Sequence, residues 1–205
     1  MTGSALNKSG NAADLEDVRA VLTGDRERFS GIVTRYKNMI FDLVLRTALA
    51  GDEAEDLAQE VFCRVYAALA TFDQGRKFHT WIYTIAVNTV RNYNRQQQRR
   101  RLFVRQVADP GELPGERSDL REHRQLFHKE VREGVLEILA GLKEKYRLAL
   151  SLHYFHGLDV QEVGEVLGLP VNTVKTHLKR AREQVSGLVE KNEKYATLFR
   201  EACIE

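Results

Sequence analysis

The residues most suited to chemistry are four cations in one predicted helix. They lie in the segment VNTVKTHLKRAR, residues 171–182, and are Lys175, Lys179, Arg180 and Arg182. Val174 and Leu178 recur there at helical spacing, so one face of the helix is apolar. Cations of this kind donate hydrogen bonds to phosphates and to guanine edges. A solvated surface helix is the alternative, but such helices usually mix charges and this segment contains no acid.

Other residue types that support catalysis or metal binding occur in poor arrangements. His153 and His156 are spaced i, i+3, but no HExxH motif or cysteine cluster accompanies them. The two cysteines, Cys63 and Cys203, are too far apart to suggest a disulfide framework, and we expect Cys63 to be a buried thiol. A metal hydrolase is therefore disfavoured, and the two histidines are expected to be ordinary helix residues.

Charge is segregated along the chain, although the net charge of its 205 residues is only +2. Residues 91–105 contain six arginines and no acid, whereas residues 51–60 are rich in acid. This separation suggests one surface for a polyanion and another for a protein. No apolar run approaches the length of about 18 residues that a membrane span needs, and the N-terminus lacks a signal-peptide pattern. We therefore expect a cytoplasmic protein without membrane insertion.

The elements that must position these residues are all predicted to be helices, because no sustained strand alternation occurs. A short helix is expected over 14–22, and a longer one has its apolar face over 29–44. Asp52 and Glu55 suggest a capping box for the next helix. A polar loop, 72–78, then precedes a helix that contains Trp81 and becomes basic.

Two prolines and two glycines mark a linker, since the sequence VADPGELPGERSD cannot continue a helix. Helices resume beyond it and end in a helix-turn-helix pattern over 159–182. Asp159 and Glu162 can cap the first helix, Gly168 permits a positive φ in the turn, and Gly164 permits a close crossing. The alternative is a plain helical hairpin.

Two long motifs carry a resemblance to a known family. DEAEDLAQEVFCRVYAAL followed by TWIYTIAVNTVRNYNRQQQRR resembles region 2 of the sigma-70 family. LKEKYRLALSLHYFHGLDVQEVGEVLGLPVNTVKTHLKRAR resembles region 4. With only a linker between the two regions, this is the layout of the extracytoplasmic-function (ECF) sigma factors, and WIYTIAVNTVRNY is similar to the sigma-E type.

The resemblance implies an all-α fold of two small helical domains joined by a flexible linker. The expected divisions are a flexible N-terminus (1–13), region 2 (14–101), the linker (102–125), region 4 (126–190) and a C-terminal tail (191–205). The family directs core RNA polymerase to promoters and helps melt the −10 element. It is not an enzyme and needs no metal or other cofactor.

The resemblance also assigns three sets of residues. The set expected to bind core polymerase is Asp52, Glu53, Glu55, Asp56, Gln59 and Glu60. The set expected to bind the −10 element is Asp73, Gln74, Gly75, Arg76, Lys77, Tyr83, Asn88, Arg91, Tyr93 and Arg95. The set expected to bind the −35 element is Asn172, Thr173, Lys175, Thr176, Lys179 and Arg180. The alternatives are acids at the positive end of a helix dipole, a plain polar turn and solubilising charges.

The partners implied are the β′ coiled coil and β flap of core polymerase, promoter DNA and an anti-sigma factor, which could hold the protein near the membrane. A stress-response role in a bacterial cytoplasm, with nucleoid association, would follow. An ordinary helix-turn-helix regulator is the main rival. That rival gives no reason for DEAEDLAQEVF and TWIYTIAVN to occur together.

Overall fold

The computed structural model describes residues 6–48, 50–107 and 133–191, with side chains except at 6–10, 52 and 101–107. Its first four helices are α1 (Leu6–Leu22), α2 (Phe29–Ala48), α3 (Ala54–Ala68) and α4 (Phe78–Val107). The next four are α5 (133–140), α6 (Glu144–Leu150), α7 (Val160–Leu167) and α8 (Val171–Glu190). These ranges contain helices and turns but no strand, which confirms the all-α prediction. None of the helices described there is long and apolar enough to cross a membrane.

The first four helices form a bundle around the apolar face of α2. Ile32, Ile40 and Leu43 recur at helical spacing on α2 and are fully buried. They pack with Val61 of α3 and Ile82 of α4 in the same core. Each buried Ile or Leu side chain contributes about 1.5–3 kcal/mol to folding, so this periodic face stabilises the bundle.

Two helix boundaries in this half differ from the sequence predictions. Helix α1 begins at Leu6 rather than at residue 14, although its first residues lack apolar periodicity. Gly51–Glu53 form a 3₁₀ turn, and α3 begins at Ala54 without a side-chain cap. Glu53 rather than Asp52 precedes the first residue of α3, so the predicted helix start at Asp52 was wrong.

Helix α4 also extends further than predicted. It continues to Val107, past the expected domain boundary at 101, because no proline or glycine occurs between Phe78 and Val107. The rest of the expected linker up to 125, together with 126–132, lies outside the described residues, as does the tail beyond 191.

In the second half, α6 and α8 pack around a small core. Leu139, Leu142 and Leu150 are buried there together with Tyr146 and Ala181. Helix α6 starts after Lys143, which makes no side-chain cap, and continues into a π-helical turn at Ser151–Phe155. This turn leads the chain into α7 and α8.

The two halves pack against each other. Leu148, Leu152 and Val163 belong to the same buried cluster as Ile32 and Ile82 of the first bundle. Helix α7 lies against α4, while α6 and the π-helical turn lie against α2. The fold therefore has two helical units, as the sequence predicted, with a shared core that the sequence did not predict.

Candidate nucleic-acid interface

The helix-turn-helix prediction is confirmed by its local geometry. The Asp159 carboxylate accepts the Glu162 N–H at 2.8 Å, and the Glu162 carboxylate accepts the Asp159 N–H at 3.0 Å, which completes a capping box. Gly168 ends α7 with a φ of 68°, a conformation that favours glycine. A Cβ atom added at Gly164 would lie 2.8 Å from the Leu169 carbonyl oxygen, so glycine permits the close approach of the turn.

Helix α8 presents a basic face opposite a buried apolar one. Val174, Leu178 and Ala181 are buried against α6 and α7. The exposed residues are Asn172, Lys175, Thr176, Lys179 and Arg180, while Thr173 is half-buried. Glu183 lies 3.9 Å from the Lys179 ammonium group, but such an exposed pair contributes little stability and leaves the cation accessible.

An aromatic cluster anchors the loop between residues 72 and 78. The Phe72 and Phe78 ring centroids lie 5.1 Å apart, and the Trp81 ring packs against both. Residues 73–77 are exposed between these anchors. The Asp73 carboxylate accepts the Gly75 N–H at 2.9 Å, so the loop path is fixed by a local side-chain bond.

The second half of α4 is polar, and a groove lies between it and α3. Asn88 and Arg95 are exposed. The groove has a volume of about 330 Å³ and is lined by Glu60, Arg64, Thr89, Asn92, Tyr93, Arg95, Gln96 and Arg99. The Tyr93 hydroxyl donates to the Glu53 carboxylate. This hydrogen bond joins the start of the acidic segment to α4. Burial and this hydrogen bond raise the pKa of Tyr93, which keeps the hydroxyl protonated as a donor.

The acidic segment before and within α3 is open to solvent. Its exposed members are Glu53, Glu55, Asp56, Gln59 and Glu60, while the Asp52 side chain lies outside the described set. Glu60 pairs with Arg64 at 2.6 Å one turn further along the helix. Glu55 and Asp56 lie in the first turn of α3, where acids suit the helix dipole. Gln59 and Glu60 lie beyond that turn, so the dipole does not account for them.

Comparisons with known proteins agree with this geometry. Residues 32–100 match the family model "Sigma-70 region 2", and residues 132–185 match "Sigma-70, region 4". The ECF RNA polymerase sigma-E factor of Escherichia coli K12 is 33% identical over 177 residues, which cover 84% of this chain and 92% of that protein. The ECF RNA polymerase sigma factor SigW of Bacillus subtilis is 34% identical, over 81% of this chain and 91% of its own.

The chain belongs to the ECF sigma factors of the sigma-70 family. It is an RNA polymerase sigma factor, whose family directs promoter-specific transcription initiation. Two solved structures share its fold. CnrH in complex with the cytosolic domain of CnrY is 22% identical and has a TM-score of 0.65, covering 88% of this chain and 99% of that chain. The sigma factor RpoE of Bartonella quintana, in complex with the anti-sigma factor NepR, is 20% identical and has a TM-score of 0.58, covering 79% and 96%.

Within this sigma factor, three of the residues assigned to the −10 element contact the second half: Lys77, Arg91 and Tyr83. The Lys77 ammonium group lies 2.7 Å from a Glu162 carboxylate oxygen. An Arg91 nitrogen lies 3.5 Å from the Leu167 carbonyl oxygen, at the end of α7. The structure therefore places these cations at the junction of the two halves, whereas Asn88 and Arg95 remain open.

Tyr83 is the assigned residue whose environment differs most from expectation. The resemblance assigns it to the −10 element, but the side chain is fully buried and its hydroxyl lies 3.2 Å from Nδ1 of His156. Burial raises the pKa of Tyr83, so the hydroxyl stays protonated and can donate to that nitrogen. In this packed arrangement Tyr83 is a core residue and has no surface for DNA.

Sequence reasoning missed the residues that join the halves, above all His79, His156 and Arg147. His79 lies 3.1 Å from Glu162, and His156 lies 3.6 Å from Asp42. These partners are far apart in sequence and no local pattern relates them. Cys63 was also misjudged, since its thiol is exposed. Among the residues the structure describes, no cluster of three or more His, Cys, Asp or Glu could hold a metal ion.

Proposed function

We propose that this sigma factor recognises its promoter with α8 and opens it with the loop 73–77 and the exposed side of α4. The observation that carries the proposal is the pairing on α8 of a buried apolar face with an exposed face whose cations occupy successive turns. A helix presented in this way by a helix-turn-helix fits the major groove of duplex DNA. We assign its −35 contacts to Lys175, Thr176, Lys179 and Arg180, with Asn172 and Thr173 at the start of the helix.

For the −10 element, an unstacked base needs a pocket and a stacking surface. The loop of Asp73, Gln74, Gly75, Arg76 and Lys77 is exposed and held by its aromatic anchors. Asn88 and Arg95 are exposed on the helix that follows, and Arg91 is half-buried. We assign base recognition to the loop and Asn88, and phosphate contacts to the arginines. Tyr93 lines the groove between α3 and α4, and we assign it to contact with melted DNA.

We assign the binding of core polymerase to the acidic segment Asp52–Glu60. Its exposed carboxylates suit a basic helical partner, which in this family is the β′ coiled coil. We assign the binding of the β flap of the polymerase to the second half of the chain. We infer that the chain supplies promoter specificity to the polymerase without catalysing a reaction itself and without a cofactor.

Control by an anti-sigma factor is part of the same proposal. It is supported by the two solved structures of the same fold, one in complex with the anti-sigma factor NepR and the other with the cytosolic domain of CnrY. We place the protein in the bacterial cytoplasm, associated with the nucleoid when active. When the sigma factor is inactive, an anti-sigma factor anchored in the membrane would hold it near the membrane.

Run-off transcription tests the proposal. Purified bacterial core polymerase is incubated with fragmented genomic DNA from the source organism, with and without the sigma factor. Discrete new transcripts are expected, and their aligned upstream sequences supply the −35 and −10 elements. If no transcript appears while the chain still binds duplex DNA specifically, it acts as a helix-turn-helix regulator and the first half has another role.

A further inference from the structure

Glu162 joins the helix-turn-helix to the loop assigned to the −10 element. It lies at the start of α7 and is only 4% exposed. Its Oε1 atom accepts a hydrogen bond from the Lys77 ammonium group at 2.7 Å and lies 3.1 Å from Nε2 of His79. Its other oxygen, Oε2, accepts the N–H of Asp159. One oxygen therefore caps α7, and the other contacts the first half of the molecule.

The ionisation of these groups favours the contact. Burial alone would raise the pKa of Glu162, but hydrogen bonds from Lys77, the Asp159 backbone and His79 outweigh burial and lower it. The bond to Glu162 raises the pKa of Lys77. The pair is therefore charged at neutral pH, and its bond is charge-assisted.

Further contacts hold the same arrangement. Arg147 of α6 donates to the Thr47 carbonyl oxygen of α2 at 3.1 Å. Asn94 of α4 donates to Glu144 of α6 at 2.7 Å. Together with the buried pair of Tyr83 and His156, they hold the second half against α2 and α4.

We propose that Glu162 is an internal competitor of promoter DNA. This inference rests on the proposed role of the 73–77 loop in binding the −10 strand. A phosphate is the ligand that Lys77 would otherwise bind, and the Glu162 carboxylate presents the same negative oxygen to it. The packed molecule is then a closed state with weakened affinity for single-stranded DNA, and the halves must separate before Lys77 is released from Glu162.

The variant Glu162→Gln separates closure from folding. A glutamine at this position still offers one oxygen to the Asp159 N–H, so the cap of α7 is retained. Its amide nitrogen then faces Lys77, and both the charge and the acceptor are lost. The matched control is Glu27→Gln, which removes one charge from an exposed position in the 3₁₀ turn before α2.

Two measurements on the full chain test the proposal. The first is the affinity for a fluorescein-labelled oligonucleotide of twenty thymidines, followed by anisotropy at low salt. Glu162→Gln is expected to bind roughly tenfold more tightly than the natural chain, while Glu27→Gln is expected to bind as tightly as the natural chain. The second is energy transfer between dyes on Cys63 and on the new cysteine of Glu190→Cys, in a chain that also carries Cys203→Ser. Glu162→Gln is expected to lower this energy transfer.

Unchanged affinity and unchanged energy transfer in Glu162→Gln would overturn the proposal, as would equal effects from the control. Lowered energy transfer without a gain in affinity would show that Glu162 closes the molecule but does not compete with DNA, and would also reject it. These readouts use neither polymerase nor a promoter. Failure of the transcription experiment is therefore distinguishable from failure of this one.

Discussion

The guanidinium of Arg147, in α6, donates to the carbonyl oxygen of Thr47 at the end of α2, at 3.1 Å. The same group donates to the carbonyl oxygens of Leu139 and Leu142, at 3.3 and 3.2 Å. Arg147 is only 7% exposed, and burial lowers its pKa although Glu144 acts in the opposite direction. One buried cation thus satisfies three backbone carbonyls and joins the second half of the molecule to the first.

We expect Arg147→Met to destabilise the protein by roughly 1–3 kcal/mol, because three carbonyl groups lose a charged donor. Asn94 still donates to Thr47 and the Leu142 N–H still donates to Leu139, so the Leu142 carbonyl group is affected most. Urea unfolding followed by circular dichroism measures this. The control Arg182→Met removes an exposed arginine from α8 and is expected to change the free energy of unfolding little. Equal stability of the two variants would mean that Arg147 does not hold the halves together.

Replacing Lys179 and Arg180 with alanine is expected to weaken duplex promoter binding and to leave polymerase binding intact. Each lost phosphate contact should also make the plot of log affinity against log salt shallower by about 1. Titration of labelled promoter duplex at several salt concentrations measures both effects. The control Arg26→Ala with Lys37→Ala removes the same charge from exposed positions of the first half. A slope that falls equally in the control would assign the effect to net charge.

The reverse result is expected for Asp56→Ala with Glu60→Ala. Because these carboxylates are exposed on the surface assigned to the polymerase, their loss should weaken core binding roughly tenfold. Duplex DNA binding by the free chain should not decline. Competition for core polymerase against a labelled sigma factor measures the first quantity. A control that lacks the acids Asp25 and Glu27 should compete normally, and an equal loss there would remove the assigned surface from the account.

Acidification is expected to loosen the junction at His156. Burial lowers the pKa of His156 to about 4, with Asp42 acting in the opposite direction and Arg46 in the same one. Tyr83 faces its other ring nitrogen. Because the folded pKa lies below the unfolded value of about 6.5, the protonated ring favours open or unfolded forms. Stability is therefore full above pH 6.5 and declines toward pH 4.

Between pH 7 and pH 5 this one residue should cost roughly 2 kcal/mol. Urea unfolding at several pH values measures the slope. His156→Gln is expected to flatten it, since glutamine does not titrate in this range. A slope that is the same in both proteins would assign the acid sensitivity to other groups.

The sequence predicted those parts of the molecule whose causes are local. The periodic apolar face of α2 and the glycines of the helix-turn-helix follow from neighbouring residues. The exposed acids of α3 and cations of α8 belong to motifs that could be read directly. Tyr83 could not be placed, because its burial depends on which surface the other half covers. The contact of Lys77 with Glu162 joins residues 85 positions apart, and no pattern in either segment indicates it.

Permanganate footprinting of promoter DNA tests the central claim most directly, because permanganate oxidises thymines that are unstacked. The promoter fragment is incubated with core polymerase alone, with the sigma factor alone, and with both. We expect reactive thymines across the −10 element only when both are present, and a loss of that reactivity in Asn88→Ala. Polymerase that remains closed on the promoter with the sigma factor bound would contradict the account.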